Sequence, residues 1–244
     1  KYCEKHFAEA GDLARLHDVK ISFHPGQFTV LASETPDIVD RSIDEFEYHV
    51  NMARWMGFGK SFQDGCKINV HISGRQGPAG IIKVLSRLSP EARNLITIEN
   101  DEMSWGLDAS LELEKHCALV LDIHHHWVRT GEYLQATDDR VKRVVDSWRG
   151  IRPTMHYSYS RDEWLTPAYS DVDTMHTGFH DMETLLSKGC KKQKLRAHSE
   201  LLPNRAVNEW ALSFLPQLDI QVEAKTKNLA AEQLHNQAVE LGLV

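Results

Sequence analysis

Histidines and carboxylates recur in this sequence directly after short apolar runs. In residues 118–127, the run Ala-Leu-Val-Leu leads into Asp122, and three consecutive histidines follow one residue later. Imidazole nitrogens and carboxylate oxygens are ligands with which proteins bind Zn²⁺, Mn²⁺ and similar divalent ions. The same groups also act as general acids and bases. This spacing therefore predicts a metal-binding or acid–base site where a buried strand ends.

Six further predicted strands end in the same kind of residue. Their terminal histidines and carboxylates are His24, His71, Glu99, His156, His198 and Glu223, and His125 accompanies Asp122. The carboxyl ends of parallel strands meet at one edge, so we expect these side chains to converge. Eight ligands are too many for a single ion, so the pattern favours a metal cluster. Clustered metals are suited to phosphodiester hydrolysis, in which one generates hydroxide and others stabilise the attacking and leaving oxygens.

Neighbouring strands in a barrel supply neighbouring ligands, which divides the expected cluster among three ions. The predicted ligand sets are His24, His71 and Glu99; Glu99, Asp122, His156 and Glu223; and His125 with His198, to which Glu200 is a candidate addition. In this arrangement the Glu99 carboxylate bridges two ions.

The elements that would position these residues alternate regularly between strand and helix. Predicted strands lie at 19–23, 67–72, 95–98, 118–121, 151–155, 194–197 and 219–222. Predicted helices lie at 2–17, 36–58, 79–88, 107–116, 138–148, 181–187, 207–215 and 228–241. This alternation indicates an α/β fold with parallel strands, and a TIM (β/α) barrel closes with eight of them. We expect a first strand to be missing from this chain, and a single domain over 1–244 with an extended loop insertion at about 157–193.

Length and composition are consistent with one barrel domain. The chain has 244 residues, of which 41% are hydrophobic and 26% charged, as in soluble globular proteins. No apolar run approaches a membrane span, no signal peptide is visible, and four widely spaced cysteines indicate reduced thiols. The net charge of −7 argues against bulk electrostatic binding to nucleic acid. However, metal-binding carboxylates count as negative in that sum although a loaded site is cationic.

Four stretches of the sequence closely resemble the UV damage endonuclease family. They are Phe-His-Pro-Gly-Gln-Phe from Phe23, Glu-Asn-Asp from Glu99, Asp-Ile-His-His-His from Asp122 and Glu-Ala-Lys-Thr-Lys from Glu223. His71, His156 and the tripeptide His-Ser-Glu from His198 support the match in the same order. No single motif is decisive, but the ordered set is specific and extends from residue 20 onward.

This resemblance implies a TIM barrel related to the apurinic endonucleases and the xylose isomerase-like barrels. It also implies metal-dependent incision of DNA immediately 5′ to a UV photoproduct or abasic site, with Mn²⁺ as the usual metal and Zn²⁺ or Mg²⁺ as alternatives. The ligands it implies are His24, His71, Glu99, Asp122, His125, His156, His198 and Glu223. Glu99, Asp122, His125 and Glu223 are then the expected catalytic residues, and Gln27 and Phe28 probe the lesion. We accordingly expect a cytoplasmic monomer that acts on damaged double-stranded DNA and does not associate with membranes.

Two other functions are compatible with the same residues. A barrel isomerase or epimerase of small sugars also gathers histidines and carboxylates at the carboxyl edge, and a non-catalytic relative could bind DNA without cutting it. Phe28 could be a buried core aromatic and Gln27 a loop cap. His176 and His180 have the spacing of a metal-binding pair on one helix, although a solvated helix face is the favoured interpretation.

Overall fold

A computed structural model describes residues 2–244 and contains six β-strands. In chain order they are β1 (Ser22–Phe23), β2 (Lys67–His71), β3 (Ile96–Glu99), β4 (Ala118–Asp122), β5 (Thr154–Tyr157) and β6 (Asp219–Val222). All of the strand pairings are parallel. The α/β class with parallel strands is therefore as the sequence predicts.

Thirteen α-helices lie between and around these strands in the described part of the chain. They are α1 (Tyr2–Leu16), α2 (Pro36–Trp55), α3 (Gly77–Leu85), α4 (Pro90–Leu95), α5 (Leu107–Leu111), α6 (Ile123–Thr130), α7 (Asp139–Ser147), α8 (Asp162–Leu165), α9 (Val172–Met175), α10 (Met182–Ser187), α11 (Lys192–Leu195), α12 (Arg205–Leu212) and α13 (Asn228–Glu240). Short 3₁₀ helices form at Phe62–Asp64 and Thr166–Ala168. Among residues 2–244, no helix combines the length and apolar character that a membrane span requires.

The chain divides into two compact units. The first contains the chain up to Val120 together with Asp146–Ile151, and the second contains Leu121–Val145 and Arg152–Val244. In the first unit, β1, β2, β3 and the beginning of β4 pair in that order. In the second unit, the end of β4 pairs with β5, and β5 pairs with β6.

Strands β2 and β3 carry apolar and polar residues in alternation. Ile68 and Val70 face one side of β2, and Asn69 and His71 face the other, because successive side chains in a strand point to opposite faces. The register pairs Asn69 with Thr97 and His71 with Glu99, so the polar residues of both strands share one face. All residues of both strands except the terminal His71 are buried, as expected for parallel strands covered on both sides.

Helix α2 packs an apolar stripe into the core of the first unit. Phe46, Val50 and Ala53 on this helix are fully buried, at the spacing of one helix face. Helix α1 packs against the end of α2 at Gly11, where an added Cβ would lie 2.1 Å from the carbonyl oxygen of Met56. This position therefore requires glycine.

Three features of the fold differ from the sequence prediction. Residues 194–197 do not form a strand, because the segment around them is short, rich in helix-forming lysine and glutamine, and folds as α11. The three histidines after Asp122 are buried on helix α6, which is not among the predicted helices. Helix α4 is additional, and it begins with a Ser89 side chain that accepts a hydrogen bond from the Ala92 amide and with a proline in its first turn.

Candidate metal centre

In the first unit, His24 and Glu99 form a close pair. His24 follows β1 directly, and its Nδ1 lies 3.0 Å from the carbonyl oxygen of Pro25. A carbonyl only accepts hydrogen bonds, so Nδ1 donates to it and Nε2 is the nitrogen that faces away. That Nε2 lies 3.3 Å from Oε2 of Glu99, whose side chain is fully buried. At this distance the two atoms can share a proton or bind the same metal ion.

His71 adds a third candidate ligand to this pair. It is the last residue of β2 and is paired in register with Glu99, the last residue of β3. Its Nε2 lies 3.9 Å from Oε2 of Glu99, and the His24 and His71 rings are 5.0 Å apart. One ligand atom from each of the three residues lies within 4.8 Å of the others. The side chains of His24 and His71 are about a quarter exposed, so the group is open to solvent on one side.

Asp101 supports the ring of His71 from behind. Oδ2 of Asp101 lies 3.5 Å from Nδ1 of His71, which leaves Nε2 directed toward Glu99. Oδ1 of Asp101 accepts hydrogen bonds from the backbone amides of Met103 and Ser104. Burial raises the pKa of Asp101, but hydrogen bonds from His71 and these two amides outweigh it and lower the pKa to about 2. A carboxylate behind a ligating imidazole is the usual way in which proteins fix its tautomer and orientation.

Asn69 is a second supporting residue that the sequence prediction missed. Its side-chain amide donates a hydrogen bond to Oε2 of Glu99 from within β2. The signal was present in the sequence, since an asparagine is uncommon in the interior of an apolar strand. Asp101 was also visible, in the Glu-Asn-Asp motif, but nothing in the motif assigned it a partner.

In the second unit, Asp122 has two functions. It is the last residue of β4 and caps helix α6, because its Oδ1 accepts a hydrogen bond of 2.6 Å from the backbone amide of His125. Its Oδ2 lies 3.5 Å from Nδ1 of the same histidine. The cap thus fixes the Asp122 side chain and brings His125 beside it. Both residues are buried.

Glu223 lies beside two further histidines of the second unit. It follows β6 directly, and its Oε1 lies 3.3 Å from Nδ1 of His156 on β5. Its Oε2 lies 4.0 Å from Nε2 of His198. His156 is paired in register with Asp122, and the ring of His198 lies 6.4 Å from that of His125. All five predicted ligands of this unit are therefore neighbours.

His198 reaches this position without the strand that the sequence predicts. The backbone forms an isolated antiparallel bridge between Ser160 and His198. The Arg161 amide donates to the Ala197 carbonyl, and the Ser199 amide donates to the Tyr159 carbonyl. His198 is therefore positioned by a short backbone bridge to residues 159–161 and not by a strand of the parallel sheet.

Gln27 and Phe28 lie in an exposed turn after His24. The amide of Thr29 donates to the carbonyl of Gly26, which closes the turn, and the amide of Val30 donates to the hydroxyl of Ser42 on α2. Gln27 is exposed, and 85% of Phe28 is accessible to solvent. The alternative interpretation of Phe28 as a buried core aromatic is therefore wrong.

The turn borders a groove of about 600 Å³ in the first unit. Phe28, Thr29, Ile38 and Arg41 are among the residues that line it. An exposed aromatic ring beside such a groove can stack against a planar group brought to it by a ligand.

His176 and His180 do not form a metal-binding pair on one helix, and His180 is not solvated. Helix α9 ends before His176, and α10 begins after His180. His180 is buried between the hydroxyls of Tyr159 and Tyr169, at 2.5 and 2.6 Å from its two ring nitrogens. Burial lowers the pKa of His180 to about 4, and the neighbouring His176 adds to this effect. Neutral His180 therefore stabilises the 157–193 segment through its contacts with the two tyrosines.

The donor set in both units fits a first-row divalent ion. It combines imidazole nitrogens with carboxylate oxygens and contains no cysteine, which suits Mn²⁺ or Zn²⁺. Glu99 and Asp122 are fully buried carboxylates, and such groups are found in proteins when they are paired or bind a metal. The predicted ligands thus form one set in each unit, His24–His71–Glu99 in the first and the remaining five in the second.

Two solved structures share the fold of this chain. The crystal structure of SacUVDE matches 100% of this chain and 73% of its own, with a TM-score of 0.76 and 22% sequence identity. The crystal structure of endonuclease IV from Thermus thermophilus matches 97% of this chain and 81% of its own, with a TM-score of 0.64 and 13% identity. At these identities the comparison establishes a common fold.

The sequence identifies the family. The model of the family described as UV-endonuclease UvdE matches residues 1–242, so the chain belongs to this family. The resemblance that the motifs indicate is therefore confirmed. The UV DNA damage endonuclease of Bacillus pumilus is 31% identical over 179 residues, which are 69% of this chain and 54% of the relative. The UV-damage endonuclease of Schizosaccharomyces pombe is 29% identical over 174 residues, 66% of this chain and 29% of the relative. The chain thus spans about half or less of the length of these relatives.

Proposed function

We propose that this chain is a metal-dependent DNA-repair endonuclease that cuts the phosphodiester backbone immediately 5′ to a UV photoproduct or an abasic site. The observation that carries the proposal is the His24–His71–Glu99 group, where acceptor atoms of three residues surround a position suited to a cation. The family match and the names of the relatives supply the substrate class. We also infer that the parallel strands belong to a barrel of the TIM type.

The residues proposed to hold the metal ions are those predicted from the sequence. His24, His71 and Glu99 act in the first unit, and Asp122, His125, His156, His198 and Glu223 act in the second. Bound Mn²⁺ ions would supply Lewis acidity to the scissile phosphate and a hydroxide nucleophile at neutral pH. The carboxylates orient and neutralise the cations, and Asp122 and Glu99 are held rigidly by their hydrogen bonds.

Gln27 and Phe28 are proposed to recognise the lesion. Their turn has an exposed amide and an exposed aromatic ring only three and four residues, respectively, after the proposed ligand His24. Stacking by Phe28 beside a damaged step and hydrogen bonding by Gln27 would replace contacts that the disrupted base pair has lost. Because the net charge is −7, we expect specific contacts rather than bulk attraction to determine DNA binding.

The test uses the full chain, Mn²⁺ and a duplex with a single photoproduct or abasic site, labelled at the 5′ end of the damaged strand. A nick immediately 5′ to the lesion, abolished by chelator and restored by Mn²⁺, is the expected result. An undamaged duplex of the same sequence is the control. Binding without a nick would indicate a non-catalytic relative, and one bound ion with sugar isomerisation would indicate the alternative enzyme class. Either result would overturn the proposal.

A further inference from the structure

Asn69 is a buried polar residue of β2 whose side chain contacts two polar residues of β3, Thr97 and Glu99. Only 3% of Asn69 is exposed, and none of its partner Thr97. The two residues are paired in register, one step before the pair of His71 and Glu99. Two polar pairs therefore follow each other along the same face of adjacent strands.

The hydrogen bonds between these side chains run in one direction. Since a carboxylate only accepts, the amide nitrogen of Asn69 must face Glu99, to which it donates. The amide oxygen then faces Thr97, whose hydroxyl donates to it over 3.0 Å. The carbonyl of Ile68 lies 3.5 Å from the same hydroxyl and is the weaker acceptor by distance. Thr97 thus orients Asn69, and Asn69 orients Glu99.

The consequence is a restricted position for the Glu99 carboxylate. A glutamate side chain has three rotatable bonds, and the amide of Asn69 binds the same Oε2 that lies 3.3 Å from His24 and 3.9 Å from His71. The Nε2 atoms of His24 and His71 therefore both face Oε2 of Glu99, and the hydrogen bond from Asn69 fixes the position of that oxygen. The amide oxygen of Asn69 accepts from Thr97, so the amide group faces Glu99 with its nitrogen.

We propose that Asn69, set by Thr97, is a positioning residue that holds Glu99 in the orientation for metal binding. This inference rests on the proposed function, since it concerns a ligand of the proposed metal centre. Partners behind the ligands commonly change metal affinity by about 10–100-fold when they are removed. The structure assigns that role to an amide on β2 that donates directly to the carboxylate on β3.

The experiment measures Mn²⁺ affinity by equilibrium titration and the visible absorption of the Co²⁺-substituted protein. Asn69→Leu keeps the size but removes the amide, and we expect about 10–100-fold weaker metal binding and an altered Co²⁺ spectrum. Thr97→Val, which removes only the hydroxyl, should weaken binding in the same direction, and Thr97→Ser should restore it. This second pair tests the proposal even if Asn69→Leu does not fold.

Asn94→Leu is the matched control, because the Asn94 amide donates 3.0 Å to the backbone carbonyl of Gly59 and not to a proposed ligand. It should lower thermal stability and leave Mn²⁺ affinity and the Co²⁺ spectrum unchanged. If Asn69→Leu behaves like this control, or if Thr97→Val and Thr97→Ser bind Mn²⁺ equally well, Asn69 has only a structural role and the inference is overturned alone. A wild-type chain that binds no metal overturns both this inference and the proposed function.

Discussion

Oε1 of Glu223 lies 3.3 Å from Nδ1 of His156, while its Oε2 lies 4.0 Å from Nε2 of His198. One carboxylate thus faces two imidazoles that come from a strand and from an isolated bridge. The sequence prediction assigned these two histidines to different ions. Which ion each histidine would hold stays a prediction, and Glu223 is the carboxylate that both of them face.

The first prediction concerns Glu99. Glu99→Gln keeps the size of the side chain but removes the charge that attracts a cation between His24 and His71, so Mn²⁺ binding and nicking should both be lost. Metal content after dialysis and nicking of a lesion-bearing duplex measure this. Glu34→Gln is the control, since the Glu34 side chain is 61% exposed and faces Arg75. Nicking close to the wild-type rate at limiting metal would place Glu99 outside the metal centre.

The second prediction concerns the two ligand sets. His125→Ala removes a ligand from the second unit but leaves the His24–His71–Glu99 group intact. We therefore expect the variant to lose one bound Mn²⁺ and retain metal in the first unit, as counted by elemental analysis. His116→Ala, at an exposed position, should retain all the metal. Loss of all ions, or of none, in His125→Ala would contradict the division into separate sets.

The third prediction concerns Phe28. Because its ring is 85% exposed, Phe28→Ala should leave the free energy of unfolding nearly unchanged. It should weaken binding to lesion-bearing DNA by about 1–3 kcal/mol, the range found for aromatic residues that stack on bases. Tyr2→Ala, which removes a ring that is 81% exposed on α1, serves as the control. Equal affinity of wild type and Phe28→Ala for damaged DNA would exclude a stacking role.

The fourth prediction concerns the pH dependence of stability. The pKa of His180 is about 4 in the folded chain and 6.5 for a free histidine, so between these values the unfolded chain binds more protons. The contribution of neutral His180 to the free energy of unfolding is therefore fully present above pH 6.5. It decreases by on the order of 3 kcal/mol as the pH falls toward 4. The groups facing His180 are the hydroxyls of Tyr133, Tyr159 and Tyr169 and the ring of His176.

Denaturant unfolding of wild type and His180→Gln between pH 4 and 8 measures this contribution. The difference in the free energy of unfolding between the two proteins should shrink as the pH decreases. Parallel pH profiles would show that the Tyr159 and Tyr169 contacts do not keep His180 neutral.

Much of the site was predictable because its residues end or follow apolar strands. His71, Glu99 and Asp122 are the last residues of β2, β3 and β4, which are either an unbroken apolar run or an alternation of apolar and polar residues. Glu223 follows β6 by one residue in the same way. These short runs are determined by local sequence, so the prediction of the strands needed no tertiary information.

The remaining features depend on contacts between distant residues. The carbonyl of Leu195 accepts hydrogen bonds from the side chains of Ser160 and His124, which anchor the helical turn α11 before His198. Nothing in the local sequence of α11 indicates these two contacts. The helix after Asp122 is also a tertiary outcome, since burial of its three histidines offsets their modest helix propensity. The burial of His180 likewise depends on tyrosines far from it in sequence.

The alternation of apolar and polar residues along β2 and β3 has a consequence for folding accuracy. A shift of one residue between the two strands would place Asn69 opposite an isoleucine and bury Glu99 against an apolar neighbour. Burying a carboxylate or an amide without a partner is unfavourable, so misaligned pairings are rejected. Strands made only of isoleucine and valine would be more hydrophobic but could slide past each other at little cost. The polar residues of the proposed metal centre thus also ensure that these two strands pair in a single alignment.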